Sequence, residues 1–65
     1  MAETELAMAE RHVREGRRAV VRQREIVARK KAAGQNSVMS QTLLDTFERT
    51  LAAFEEYLAA IRDAA

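Results

Sequence analysis

Apolar residues recur along this chain with the period of one helix packed on another. Leu6, Val13, Val20 and Val27 stand seven residues apart in the first half, and Leu44, Phe47, Leu51, Phe54, Leu58 and Ile61 alternate steps of three and four in the second. That spacing keeps one stripe of each helix facing a partner. The pattern breaks once, at Gly34-Gln35-Asn36. It predicts an all-α fold: a two-helix antiparallel hairpin, coiled-coil-like, with a first helix over about residues 4–33, a turn at 34–37 and a second helix over about 38–63. Thr4 is the expected N-cap of the first helix, and Gly34 the left-handed residue that closes it. Asn36 or Ser37 is the expected cap of the second.

Pairing outward from the turn sets Val27 against Leu43 and Leu44, Gln23 against Phe47, Val20 against Leu51, Gly16 against Phe54, Val13 against Leu58 and Ala9 against Ile61. Small residues of the first helix thus fall opposite large ones of the second. Gly16 inside a helix costs about 1 kcal/mol relative to alanine, so a large ring lying over its bare backbone is the expected reason for it. The intra-hairpin core is therefore Val13, Gly16, Val20, Val27, Leu44, Phe47, Leu51, Phe54, Leu58 and Ile61. The apolar surface of the second helix is wider than one partner helix can cover. Ile26, Met39, Leu43, Ala53, Tyr57 and Ala60 are left beside the seam as a candidate dimer face. Two hairpins stacked on that face make a homodimeric four-helix bundle.

Size points the same way. Sixty-five residues make one domain, residues 1–65, and a single core below roughly 70–80 residues supplies only about 3–5 kcal/mol. With no cysteine in the chain, neither a disulfide nor a thiolate metal site reinforces it, which leaves association. The opening Met1-Ala2-Glu3-Thr4-Glu5 has no basic segment before an apolar core, and no aliphatic run approaches the roughly 20 residues that span a bilayer. The expectation is a cytoplasmic protein with no membrane partner. The net charge of +1 hides an asymmetry: residues 1–33 hold nine Lys/Arg against five Glu, and residues 35–65 two Arg against five Asp/Glu. A basic helix beside an acidic one is electrostatically complementary along the hairpin, and Glu10, Glu15 and Glu25 are spaced to pair with Arg11, Arg14, Arg18, Arg22 and Arg29 along the first helix.

Residues with catalytic chemistry are sparse. The only histidine, His12, lacks the glutamate three positions earlier that a bundle dimetal site uses, so it is read as structural or surface and no metal or other cofactor is expected. Ser37 and Ser40 open the second helix, where capping accounts for both. No glycine-rich phosphate loop exists, and Glu55-Glu56 lie on the polar side of the second helix. These features argue against an enzyme. Arginines dominate the first helix, and Arg14, Arg18, Arg22 and Arg29 form an alternative nucleic-acid face for RNA or DNA, although no aromatic side chain stands among them to stack on bases.

The segments His12-Val13, Glu15-Gly16, Arg22-Gln23-Arg24 and Leu43-Leu44-x-Thr46-Phe47-Glu48 together resemble a group of short bacterial helical-hairpin proteins with no assigned activity. The similarity covers most of the chain from His12 to Leu58 and departs at Asn36-Ser37, where that pattern has Asp or Asn followed by Thr. The resemblance implies a helical hairpin. The sequence thus leads to a non-enzymatic self-association module, a homodimer with a further protein partner of unknown identity.

Overall fold

A computed structural model describes residues 2–65. Two α-helices, α1 (Glu5–Ala32) and α2 (Val38–Ala64), pack antiparallel along their whole length, and the described residues contain no strand. Thr4 is the N-cap of α1, as expected, Ala33 is its C-cap rather than its last residue, and α2 runs one residue beyond the expected Asp63. The side-chain hydroxyl of Thr4 accepts the Ala7 N–H at 3.0 Å, satisfying one of the donors that every helix start leaves open.

The turn is built from backbone geometry. Gly34 takes φ 70°, the left-handed region glycine enters without a Cβ penalty. That conformation lets the Gln35 N–H reach the Lys30 carbonyl at 2.9 Å and the Gly34 N–H reach the Lys31 carbonyl at 3.1 Å, the paired bonds of a Schellman closure. Of the two expected caps for α2, Asn36 is the one that caps. Its side-chain oxygen accepts the Val38 N–H at 3.0 Å, while Ser37 makes no side-chain cap bond. An asparagine spaced two residues from its donor forms the local turn that a serine makes more weakly.

Between the helices the core divides into two clusters. Val20, Val27 and Leu44 form one near the turn, with Phe47 and Leu51 against them; Ala9, Val13 and Leu58 form the other, with Leu51, Phe54 and Ile61 packed on it. Leu51 touches both and joins them. Gly16 lies at this junction. A Cβ placed on it would stand 3.2 Å from Leu51 Cδ1, 3.7 Å from Leu51 Cβ and 3.7 Å from Phe54 Cδ2. The close approach expected for Gly16 is therefore made first to Leu51 and then to the Phe54 ring.

Two polar residues complete the seam. Gln23 and Ser40 are buried, and the Gln23 amide donates to the Ser40 backbone carbonyl at 2.9 Å. The pairing register sets Gln23 against Phe47, but its amide reaches nearer the turn, because only a carbonyl acceptor satisfies a buried N–H. Ser40, expected as a capping residue, makes no cap bond and faces α1 as the first seam position of α2. At the open end Leu6, the first rung of the apolar ladder, is 40% exposed. The pairing register sets it opposite Ala64 and Ala65, whose side chains end at Cβ.

Gly16→Leu is expected to destabilise the hairpin by about 1–3 kcal/mol through overpacking, read as a lowered thermal midpoint; a midpoint at or above the parent's would rule out the Gly16–Leu51 contact. Gln23→Glu tests the polar seam through pH. Below the ordinary glutamate pKa of about 4.3 the protonated carboxyl donates to Ser40 as the amide does. Burial raises the folded-state pKa, so stability falls as pH climbs above the unfolded value. The loss is complete past the folded value and reaches about 3–5 kcal/mol at neutral pH. Denaturant midpoints that do not move between acid and neutral pH would show the position to be hydrated.

Candidate functional site

The hairpin is a slab, 49 × 22 × 13 Å, and its two broad faces are chemically different. In an antiparallel pair, the residue immediately before each seam position lies on the same broad face in both helices, and the residue immediately after it lies on the other. On α2 the preceding positions are Met39, Leu43, Thr46, Thr50, Ala53, Tyr57, Ala60 and Ala64, a second heptad ladder without a charge. The following positions are Gln41, Asp45, Glu48, Ala52, Glu55, Ala59 and Arg62. The α2 half of one broad face is therefore apolar and small, and that of the other charged; α1 adds Glu5, His12, Glu15, Ala19 and Arg22 to the first.

Contacts across the helices fix this assignment. On the apolar face, Tyr57 donates its hydroxyl to Glu5, and the His12 ring lies 4.9 Å from that of Phe54 with the planes 30° apart. A shallow depression there is lined by His12, Glu15, Ala19, Phe47, Thr50 and Phe54. Another runs along Met39, Leu43 and Thr46. Met39 is 81% exposed, and Leu43 and Tyr57 are more than two-fifths exposed. Thr46 fits an apolar ladder because its hydroxyl bonds the Thr42 carbonyl at 3.2 Å, which leaves the methyl group to face outward.

All six residues of the expected dimer face, Ile26, Met39, Leu43, Ala53, Tyr57 and Ala60, belong to this face by register. Ile26 is half-buried at the edge of the seam and the other five are exposed. The ten expected core residues all lie between the helices: Val13, Val20, Val27, Leu44 and Leu58 are buried, and Gly16, Phe47, Leu51, Phe54 and Ile61 are half-buried. Sequence reasoning leaves Ala9, Gln23 and Ser40 out of that set, yet each falls on the same three-and-four ladder as the apolar core and is buried. The ladder alone, without regard to polarity, is the signal that finds them.

The charged face is tied across the helices by Arg24–Glu48 at 3.9 Å and Arg62–Glu10 at 3.5 Å. These bridges redirect the pairing expected along the first helix. Glu10 turns to Arg62 of α2 rather than to Arg14, whereas Glu15 makes the expected pair with Arg11 at 3.4 Å. Glu3 also grips Arg11, at 3.0 Å. The hydrogen bond from Arg11 holds the Glu3 carboxyl below the usual carboxylate range. Glu25 bridges no arginine among the described residues. Arg14, Arg18, Arg22 and Arg29 are exposed, and none of them has an acidic partner within 4.0 Å among the described residues. Arg14 and Arg18 share a groove of about 450 Å³ with Arg17, Glu10 and Arg62, floored by Val13 and Leu58. Arg22 lines the adjoining concavity with Arg17, Arg18 and Val21, and Arg29 stands in the last turn of α1 beside Lys30 and Lys31.

Among the described residues no three His, Asp or Glu side chains come together as a set able to hold a metal. No helix is long and apolar enough to cross a membrane.

The chain's single tyrosine offers a direct reading of the apolar face. Its hydrogen bond to Glu5, with the nearby negative charge, raises the Tyr57 pKa above the ordinary tyrosine value. Ultraviolet titration is expected to place the phenol midpoint above that value, and Glu5→Gln to return it toward normal. Because the folded pKa is the higher one, the bond contributes below the unfolded tyrosine pKa and is lost as pH rises through the folded one. Identical midpoints in both proteins would mean the contact is not populated. Comparison of the chain with family models, with curated proteins and with solved structures finds no match.

Proposed function

We propose that this chain is a non-enzymatic self-association module, a cytoplasmic homodimer in which two hairpins dock their apolar broad faces into a four-helix bundle and present their charged faces outward. The uncharged heptad ladder of α2 from Met39 to Ala64 carries this reading. A ladder of that period is the surface a helix offers to another helix, and α1 already occupies the neighbouring seam.

Size supports a second copy as the occupant. A folded monomer of this mass, 7.3 kDa, exposes about 4,200 Å² by the usual scaling, whereas this chain exposes 4969 Å². The excess of roughly 800 Å² is what each partner contributes to a standard interface. Shape agrees: the radius of gyration is 15.0 Å, against about 11 Å for a compact domain of this length. The hairpin has the proportions of half a bundle.

Charge on α1 fits a two-fold arrangement. Glu15 and Arg22 flank Ala19 on the apolar side, so a two-fold axis near Ala19 sets Glu15 against Arg22 of the partner subunit. A self-complementary patch of this kind is what an isologous interface requires.

Sedimentation equilibrium across a concentration series, with helicity followed on the same samples, tests the reading. The parent is expected at twice the chain mass, losing helicity on dilution. Ala53→Glu puts a charge on an exposed helix position, so it leaves the isolated hairpin little changed but opposes docking, and it is expected at the chain mass. A fully helical parent monomer, or a dimer that survives Ala53→Glu, would overturn the proposed interface.

A further inference from the structure

Two of the three α1 carboxylates spaced to neutralise its arginines, Glu10 and Glu15, are engaged away from the arginine ridge. Glu10 is drawn to Arg62, Glu15 and Glu3 to Arg11, and Glu48 to Arg24. Arg14, Arg17, Arg18, Arg22 and Arg29 remain on one helix with no carboxylate within 4.0 Å among the described residues. From Arg14 to Arg29 they extend over about 22 Å of helix. Four guanidinium groups, of Arg14, Arg17, Arg18 and Arg62, surround one groove against the single carboxylate of Glu10. The concavity beside it adds Arg22, opposed by Glu25.

We infer that this ridge binds the phosphodiester backbone of a nucleic acid. The guanidinium fork matches two phosphate oxygens at once, which an ammonium does not, and the ridge is built from arginine rather than lysine. Its linear extent suits a polymeric anion. An acidic protein helix is less well served, because such a helix docks through an apolar face, and the groove's apolar floor, Val13 and Leu58, is already buried by the hairpin at 3% and 7% exposure. No aromatic side chain lines either concavity. Contacts therefore fall on phosphates, and binding does not depend on base sequence.

Fluorescence anisotropy of the full chain with labelled single-stranded uridine and thymidine homopolymers, over a salt series, tests the inference. Both homopolymers are expected to bind alike, with affinity falling steeply as salt rises. The triple substitution Arg14→Gln, Arg17→Gln, Arg18→Gln removes three exposed charges from the groove and spares the apolar face, and its melting curve checks that the fold is kept. It is expected to lose roughly tenfold or more in affinity at low salt and to lower the log–log salt slope by about 2. Absence of binding by the parent at the lowest salt overturns the inference, as does a triple variant that binds like the parent. Competition by polyglutamate as effective as that by the homopolymers also overturns it, in favour of an acidic protein partner.

Discussion

Two helices lying side by side can cover only one stripe of each other, and that limit governs this hairpin. The covered stripe is filled by contrast in size: Gly16, Ala9 and the valines of α1 receive Leu51, Phe54, Leu58 and Ile61 of α2. The glycine lets the backbones approach at the junction of the two clusters, where Leu51 bridges them. With only one neighbour, the large rings are still not fully covered. Phe47 and Phe54 remain half-buried, their outer edges contributing to the apolar broad face together with the His12 ring. The incompleteness of the core and the apolarity of that face are one fact, since both arise from the stripe that a single partner cannot reach.

The difference between the broad faces follows from a shift of one residue. Positions before the seam in α2 carry no charge, and positions after it carry Asp45, Glu48, Glu55 and Arg62. Antiparallel pairing places the preceding positions of α1, Glu5, Met8, His12, Glu15, Ala19, Arg22 and Ile26, on the same side as the uncharged ladder. Had the helices been parallel, the uncharged ladder would instead lie beside the flank of α1 that carries Glu10, Arg14, Arg17 and Arg24. The turn at Gly34 therefore determines surface chemistry as well as topology.

The helices and their seam are legible because the heptad period is a local signal, readable wherever apolar residues repeat. Gln23 and Ser40 are harder to place because polarity argues against burial, while their bond is seen only once the helices are paired and the amide has a carbonyl to meet. The ion pairs escape a reading of spacing for a related reason. Spacing along one helix makes Arg14 a natural partner for Glu10, but the choice depends on α2 bringing Arg62 within 3.5 Å. Leu6 illustrates the opposite failure: its period is correct, but the register sets alanines opposite it and it stays 40% exposed. Three-dimensional competition decides each of these cases.

The same competition shapes both proposed roles. Of the three α1 carboxylates spaced to neutralise the ridge, closing the hairpin draws Glu10 to Arg62, Glu15 holds Arg11 within α1, and Glu25 bridges no arginine among the described residues. Exposed bridges of this kind contribute only about 0–1 kcal/mol each, so their larger consequence is the charge pattern they leave behind. Under the proposed docking of two apolar faces, the groove around Arg14, Arg17 and Arg18 points away from the interface, one copy on each outer side of the bundle. Arg22 stands at the boundary, since it lines the outer concavity and also flanks Ala19. Association and anion binding otherwise draw on different residues of one slab, and a second copy doubles the groove without covering it.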